Sequence, residues 1–152
     1  MSERAPFAVE TVLAPVDGSD ESARAADYAV AIADRYDATL HALFVVGREV
    51  ILGMDAGAVE ETDVADTATA FLDEVTDRAS AHDIVVRTST AHGFSPARKR
   101  HHPGTVVLDA ADELGADLIV IPRESTTDHS AEALEKAAEY VLSYASQPVL
   151  SV

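Results

Sequence analysis

The chain has 152 residues, of which 47% are apolar, so it can bury one hydrophobic core but is too short for two ordinary domains. It contains no cysteine, which excludes disulfides, thiolate catalysis and zinc-finger sites, and no apolar run approaches the ~20 residues of a membrane-spanning helix. The opening residues MSERAPFAVE also lack the layout of a signal peptide. We therefore expect one cytoplasmic domain over residues 1–152, with no membrane contact.

Acidic side chains outnumber basic ones by 27 to 11, which gives a net charge of −16. A surface of this charge repels nucleic acid, so we expect no nucleic-acid partner. Scarce lysine and acids spread along the whole chain are typical of a salt-rich cytoplasm, where the Debye length falls to ~3 Å at 1 M salt. We interpret the charge as adaptation to a halophilic habitat, which carries no information about function.

The chain opens with a predicted strand and helix. The run TVLAPV at 11–16 is short, apolar and rich in β-branched residues, and it ends at the turn-forming pair Asp17 and Gly18, as a buried strand does. Ser19 is placed to cap a helix, because its hydroxyl can accept from an unpaired N–H of the first turn. The apolar stripe of that helix fades by Tyr36.

The middle of the chain predicts two further strands and a long helix. Residues 38–46 form a second apolar run, and residues 47–57 follow without clear periodicity, so we predict a loop there. The longest amphipathic stretch covers roughly 58–82 and predicts the second helix. The strand predicted at 84–91 is more polar than the others, which favours an edge of the sheet.

The last third repeats the alternation of helix and strand. A third helix is predicted from about Val106 to Gly115, followed by a strand at 117–121. A fourth helix, with Ser130 as its expected cap, leads to a closing strand at 148–152. The order βαβαβαβαβ predicts an α/β fold, a single doubly wound domain whose parallel sheet carries helices on both faces.

Three stretches of this sequence together resemble the universal stress protein family. They are VLAPVDGSDESARAADYAVAIADRYDATLHALFVV (12–46), PGTVVLDAADELGADLIVI (103–121) and AEYVLSYASQPVLSV (138–152). The resemblance implies a five-stranded sheet in the order 3-2-1-4-5, frequent dimerisation and production under stress. It also implies two subclasses, one that binds ATP and one that does not.

The resemblance also locates the loop that binds phosphates in the ATP-binding subclass. That loop reads Gly-x-x-Gly, then a spacer, then Gly-Ser or Gly-Thr, and its glycines let the backbone approach the phosphates. In this chain the four positions hold Pro122, Ser125, Glu135 and Lys136, none of which matches the motif. Proline lacks an N–H donor, and glutamate sets a carboxylate near the phosphates. We therefore expect no ATP and no other cofactor.

The adenosine half of the family's pocket is partly retained. The resemblance places Pro15, Asp17 and Val45 where the family contacts adenine and ribose, with Asp17 accepting from a hydroxyl. The other interpretation, which we favour, is that Asp17 shapes the turn and helps to cap the first helix. An alternative function is nucleotide binding in which the side chains of Arg123 and Lys136 replace the glycine loop.

Other clusters of polar residues give weaker signals. The basic run from Arg98 to His102 is suited to an anion, an acidic partner or a metal, but charge runs are usually solvated loops, and we favour that interpretation. His129 has no serine or cysteine nucleophile at a recognisable motif spacing, so we predict no catalytic residues and no metal site. An enzyme of the adenine nucleotide α-hydrolase type shares the fold but needs the phosphate loop that is lost here.

The closing segment Pro148–Val152 predicts how the protein assembles. As an outer strand it presents unpaired N–H and C=O groups, and it carries no charge that would discourage pairing. Pairing with a symmetry mate satisfies this edge, in agreement with the resemblance. We therefore predict a homodimer through this strand that acts on protein partners of unknown identity. The alternative is an edge covered by the segment 47–57 of the same chain.

Overall fold

Five parallel strands form one sheet in the order β3-β2-β1-β4-β5. The computed structural model describes residues 7–93, 102–123, 134 and 137–152. The strands are β1 (Thr11–Val16), β2 (Thr39–Val46), β3 (Val86–His92), β4 (Leu118–Ile121) and β5 (Val149–Ser151). The helices are α1 (Asp20–Tyr36), α2 (Arg48–Asp55), α3 (Glu61–Ser80), α4 (Pro103–Leu114) and α5 (Ala137–Tyr144). The predicted α/β fold and its strand order are confirmed.

Each face of the sheet packs against its own hydrophobic cluster. On one face the buried residues of α1 and α3 meet Val12, Ala14 and Val16 of β1. On the other face the buried residues of α4 and α5 meet Leu13 and the neighbouring β4. Burying one such side chain contributes about 1.5–3 kcal/mol, so alternate residues of β1 anchor the two layers of helices. None of the described helices is long and apolar enough to cross a membrane.

The first helix begins and ends as the sequence predicts. Gly18 has a φ of +87°, which a residue with a side chain rarely adopts, and it turns the chain from β1 into α1. Ser19 is the N-cap and accepts a hydrogen bond from the N–H of Ser22 at 3.1 Å. The helix ends after Tyr36, where Asp37 takes the left-handed conformation.

The prediction of a loop over residues 47–57 is wrong, because this segment contains helix α2. Ile51 is buried, and Val50 and Met54 pack against the cluster formed with α1 and α3. Two turns of helix are too short to show a clear period of 3.6 residues. The helix is held by tertiary packing, which local sequence does not display.

The assignment of His102 to a basic loop is also wrong. His102 is the N-cap of α4, and its Nδ1 accepts a hydrogen bond from the N–H of Gly104 at 2.9 Å. Its ring stacks on Tyr140 of α5 with centroids 4.5 Å apart. Pro103 occupies the first turn, where its missing N–H costs nothing, so α4 begins earlier than predicted. Residues 98–101 and the expected cap Ser130 lie outside the described residues.

The two edges of the sheet are β3 and β5. The prediction that the polar third strand lies at an edge is confirmed. β5 is short, and Leu150 at its centre is 38% exposed. The segment that contains α2 follows β2 and packs beside Phe44, in the cluster of α1 and α3. Within the described residues β5 pairs with β4 alone.

Candidate functional site

A cavity of about 250 Å³ lies at the carboxyl ends of β1 and β2. In α/β sheets the crevice outside the carboxyl ends of the strands is where ligands bind. Most of the walls are apolar, and among the described residues the polar lining side chains are those of Asp17, Asp63 and Thr67. The volume falls just below the ~300–1,000 Å³ that is usual for small-molecule pockets. The cavity is therefore small, largely apolar and acidic.

Two of the three residues predicted for the adenosine half-site line this cavity. Asp17 lies at its edge, and Val45 of β2 forms part of its wall. Pro15 is buried within β1, where it pairs in register with Leu43, and it is not among the lining residues. Among the described residues, β1 pairs with β4 only at Val12 and Leu13. Pro15 lies past this paired stretch, so its lack of an N–H breaks no hydrogen bond between the two strands.

The carboxylate of Asp17 is bound on both of its oxygens. Oδ1 accepts from the N–H and the hydroxyl of Ser19, at 3.0 and 2.5 Å. Oδ2 accepts from the N–H of Leu134 at 3.1 Å, across 117 positions of sequence. Leu134 is 1% exposed and belongs to the cluster of α4 and α5. Asp17 thus ties the turn after β1 to the chain that precedes α5.

The other polar groups of the turn around Asp17 form hydrogen bonds with one another. The N–H of Asp17 donates to the hydroxyl oxygen of Ser22 at 3.2 Å, and that hydroxyl donates to the carbonyl of Ser19 at 3.0 Å. Ser22 is fully buried. A buried polar group without a partner costs about 1–3 kcal/mol, and this network satisfies each of these groups. The geometry matches an Asx turn joined to a capped helix.

The phosphate side of the site is described only in part. Pro122 follows β4 directly and is buried, and Arg123 is exposed with its N–H donating to the carbonyl of Val152 at 2.9 Å. Ser125, Glu135 and Lys136 lie outside the described residues. The structure therefore places Pro122 and Arg123 beside β5.

No pattern in the sequence indicated the opposite wall of the cavity. That wall comes from α2, α3 and the segment between them, and its residues are Val50, Val59, Asp63, Val64 and Thr67. They lie outside the three stretches that resemble the family. Because a loop was predicted in place of α2, no packing of α2 against the strands was expected. Asp63 adds a second carboxylate to the cavity, although it is exposed to solvent.

A second cavity, of about 450 Å³, lies on the other face of the sheet between β2, β3 and α4. Within it, Nε2 of the buried His41 lies 2.7 Å from the hydroxyl of Ser89. Burial lowers the pKa of His41, and the nearby Arg87 lowers this pKa further. In the described part of the chain no carboxylate hydrogen-bonds to this ring, so the pair lacks the third group that orients a catalytic base. The described residues also contain no cluster suited to a metal ion.

The universal stress protein family model matches residues 8–152. The chain belongs to the universal stress protein family. A universal stress protein of Methanocaldococcus jannaschii is 29% identical over 144 residues, which cover 93% of this chain and 80% of that protein. The family resemblance of the three sequence stretches is thereby confirmed.

Solved structures of universal stress proteins share the fold. The universal stress protein UspA from Lactobacillus plantarum is 25% identical, with a TM-score of 0.74 over 95% of this chain and 98% of that chain. A universal stress protein crystallised in complex with cAMP is 26% identical, with a TM-score of 0.67 over 95% and 97% of the two chains.

The structural role of Asp17 predicts the effect of removing its carboxylate. We expect Asp17→Ala to lower the free energy of unfolding by about 1–3 kcal/mol, because the N–H groups of Ser19 and Leu134 lose their acceptor. Urea denaturation measures this change, and faster hydrogen exchange at the Leu134 amide locates it. The matched control is Asp63→Ala, which removes an exposed carboxylate from the same cavity and should stay within about 0.5 kcal/mol of the wild type. Equal stabilities of the two variants would contradict the structural role of Asp17.

Proposed function

We propose that this universal stress protein belongs to the subclass that does not bind ATP and acts as a homodimer through contacts with partner proteins. The observation that carries the proposal is the use of both Asp17 oxygens by the protein itself. Among the described contacts, Oδ1 already accepts two hydrogen bonds and Oδ2 accepts one, so a ribose hydroxyl has to use the remaining acceptor position on Oδ2 or displace an internal bond.

The charge of the cavity supports the same proposal. Asp17 and Asp63 both line it, and none of the described residues that line it is basic. A phosphate charge 4 Å from a carboxylate costs ~1 kcal/mol in water and ~4 kcal/mol at an effective dielectric constant of 20. A triphosphate in this position needs donors that offset the repulsion. The family supplies them through glycine backbone, and this sequence has Pro122 at the first of those positions.

A second candidate function is nucleotide binding with altered phosphate recognition. It is favoured by the relative solved in complex with cAMP and by the presence of Asp17 and Val45 at the cavity. A cyclic monophosphate needs fewer donors than a triphosphate does. In this candidate the exposed side chain of Arg123, together with Lys136, contacts the phosphate.

Dimerisation through β5 is supported by the character of its outer side. β5 has no neighbour beyond β4 within the described residues, and Leu150 is 38% exposed. Leu142 and Tyr144 of the adjacent α5 are 53% and 68% exposed. Pairing two β5 strands across a two-fold axis satisfies the backbone edge and buries this apolar surface isologously.

The ATP part of the proposal predicts no saturable heat when Mg-ATP is titrated into the wild-type protein at micromolar to millimolar concentration. Restoring the family loop with Pro122→Gly, Ser125→Gly, Glu135→Gly and Lys136→Ser should create measurable binding, because these changes supply backbone donors and remove a carboxylate. Isothermal titration calorimetry is the measurement, with circular dichroism to confirm that the variant is folded.

The same titration separates the two candidate functions. Saturable binding of Mg-ATP or cAMP to the wild type, weakened at least about tenfold by Arg123→Ala, would contradict the proposal and establish the second candidate. The change at Arg123 tests the side chain alone, because its backbone N–H contact with Val152 is retained.

The dimer part of the proposal predicts that a charge on β5 disrupts assembly. We expect Leu150→Lys to shift the protein toward monomer, because a lysine on an edge strand opposes pairing with a second copy. The matched control is Leu52→Lys on α2, since both leucines are 38% exposed. Multi-angle light scattering in molar salt measures the mass. A monomeric wild type, or a dimer whose mass is unaffected by Leu150→Lys, would contradict this part of the proposal.

A further inference from the structure

β3 leaves one row of backbone groups without a partner in the described part of the chain. The N–H of Gly93 donates to the carbonyl of Val46 at 2.9 Å, so Gly93 faces β2. Residues of a parallel strand face their neighbour alternately, and the odd-numbered residues of β3 therefore face β2. The N–H and C=O groups of Val86, Thr88 and Thr90 point away from the sheet. This edge is longer than β5, with seven residues against three.

A groove of about 450 Å³ runs beside this edge, between the sheet and α4. Its floor is apolar and includes Leu43, Ala91 and Val106. Its rim on the α4 side carries the carboxylates of Asp109 and Glu113, both exposed to solvent. A strand edge that offers hydrogen bonds, lined by a groove for side chains, is the arrangement by which several domains bind extended peptides.

The charges of the groove determine which side chains it accepts. Asp109 and Glu113 are four residues apart on α4 and so lie on one face of the helix. The ion pairs recorded among the described residues involve neither of them. Among the described residues, Arg87 at the amino end of β3 pairs in register with His41, which lines the groove. A bound cation is therefore drawn to the α4 side of the groove and away from Arg87.

We propose that the β3 edge and the groove beside α4 bind an extended segment of a partner protein that carries Lys or Arg at alternate positions. The segment adds a strand about 4.8 Å from β3 and hydrogen-bonds to Thr88 and Thr90. Its alternate side chains lie on the groove side, with their aliphatic stems over the apolar floor and their charges at Asp109 and Glu113. This surface lies on the opposite edge from β5, so one dimer presents two such sites.

Charge favours a basic partner over a second copy of this chain at the same edge. The carboxylates of Asp109 and Glu113 lie beside this edge, so two copies paired here repel one another locally, whereas β5 carries no charged side chain. A segment rich in lysine is instead steered toward the groove. The proposal rests on the proposed action through partner proteins and is independent of ATP binding and of the β5 dimer.

The test is an NMR titration with a synthetic seven-residue peptide in which threonine and lysine alternate. It is performed at the lowest salt concentration at which the protein keeps its native circular dichroism spectrum. We expect saturable shifts of the backbone amides of Thr88 and Thr90. The same peptide with alternate amides N-methylated keeps its charge but cannot pair as a strand, and it should bind at least about tenfold more weakly.

Two sets of variants separate recognition by the groove from general attraction of opposite charges. The double variant Asp109→Asn with Glu113→Gln should weaken binding about fivefold to tenfold. Its matched control is Asp112→Asn with Glu139→Gln, which removes two exposed carboxylates from α4 and α5 outside the groove and should change binding by less than about twofold. Thr88→Pro removes one outward N–H, which an edge strand tolerates, and should weaken binding at least about tenfold.

Several outcomes would overturn the proposal. They are the absence of saturable shifts up to about 1 mM peptide, equal binding of the N-methylated peptide, equal effects of the two double variants, and shifts centred on β5. If Thr88→Pro changes the mass of the assembly in light scattering, a second copy occupies the edge and the proposal is wrong. Each of these results leaves the calorimetric test of ATP binding unaffected, so this surface can fail while the proposed subclass stands.

Discussion

The burial of β1 on both faces of the sheet is the constraint on which the rest of the structure depends. Val12, Leu13 and Ala14 are fully buried, and alternate residues serve the two separate clusters. A strand whose two faces are both covered by apolar side chains cannot present polar side chains to a ligand along its length. Polar chemistry is therefore excluded from this part of β1, and the two cavities lie at its carboxyl end and beside the edge strand β3.

Asp17 stands at the first position after β1 where a charged group meets solvent, and the fold uses it structurally. Its carboxylate holds the Ser19 cap and the Leu134 backbone together, so β1, α1 and the chain leading to α5 meet at one residue. The same bonds reduce the capacity of Asp17 to bind a ribose. A family position for ligand binding is thus compatible with a structural role, and in the proposed function the exposed carboxylate of Asp63 adds to the repulsion of a phosphate.

The local pattern of the sequence predicted the strands and the capped first helix, because these depend on periodicity and turn chemistry within a short window. The order of the strands in the sheet was implied by the resemblance to the family. Tertiary contacts decided the rest. Helix α2 is held by the burial of Ile51, and His102 caps α4 while stacking on Tyr140. The bond from Asp17 to Leu134 spans 117 positions, and no local pattern predicts it. Nor does any motif indicate that α2 and α3 close the cavity.

The most direct test of the account is the nucleotide content of the protein as purified from its expression host. The chain has no tryptophan and four tyrosines, so its own ultraviolet absorbance is weak and a bound adenine is readily detected. We predict a spectrum of tyrosine alone, and no adenine nucleotide in the supernatant after denaturation and removal of the protein. Release of close to one adenine nucleotide per chain would contradict the account, because it would show that Asp17 and its cavity serve a ligand.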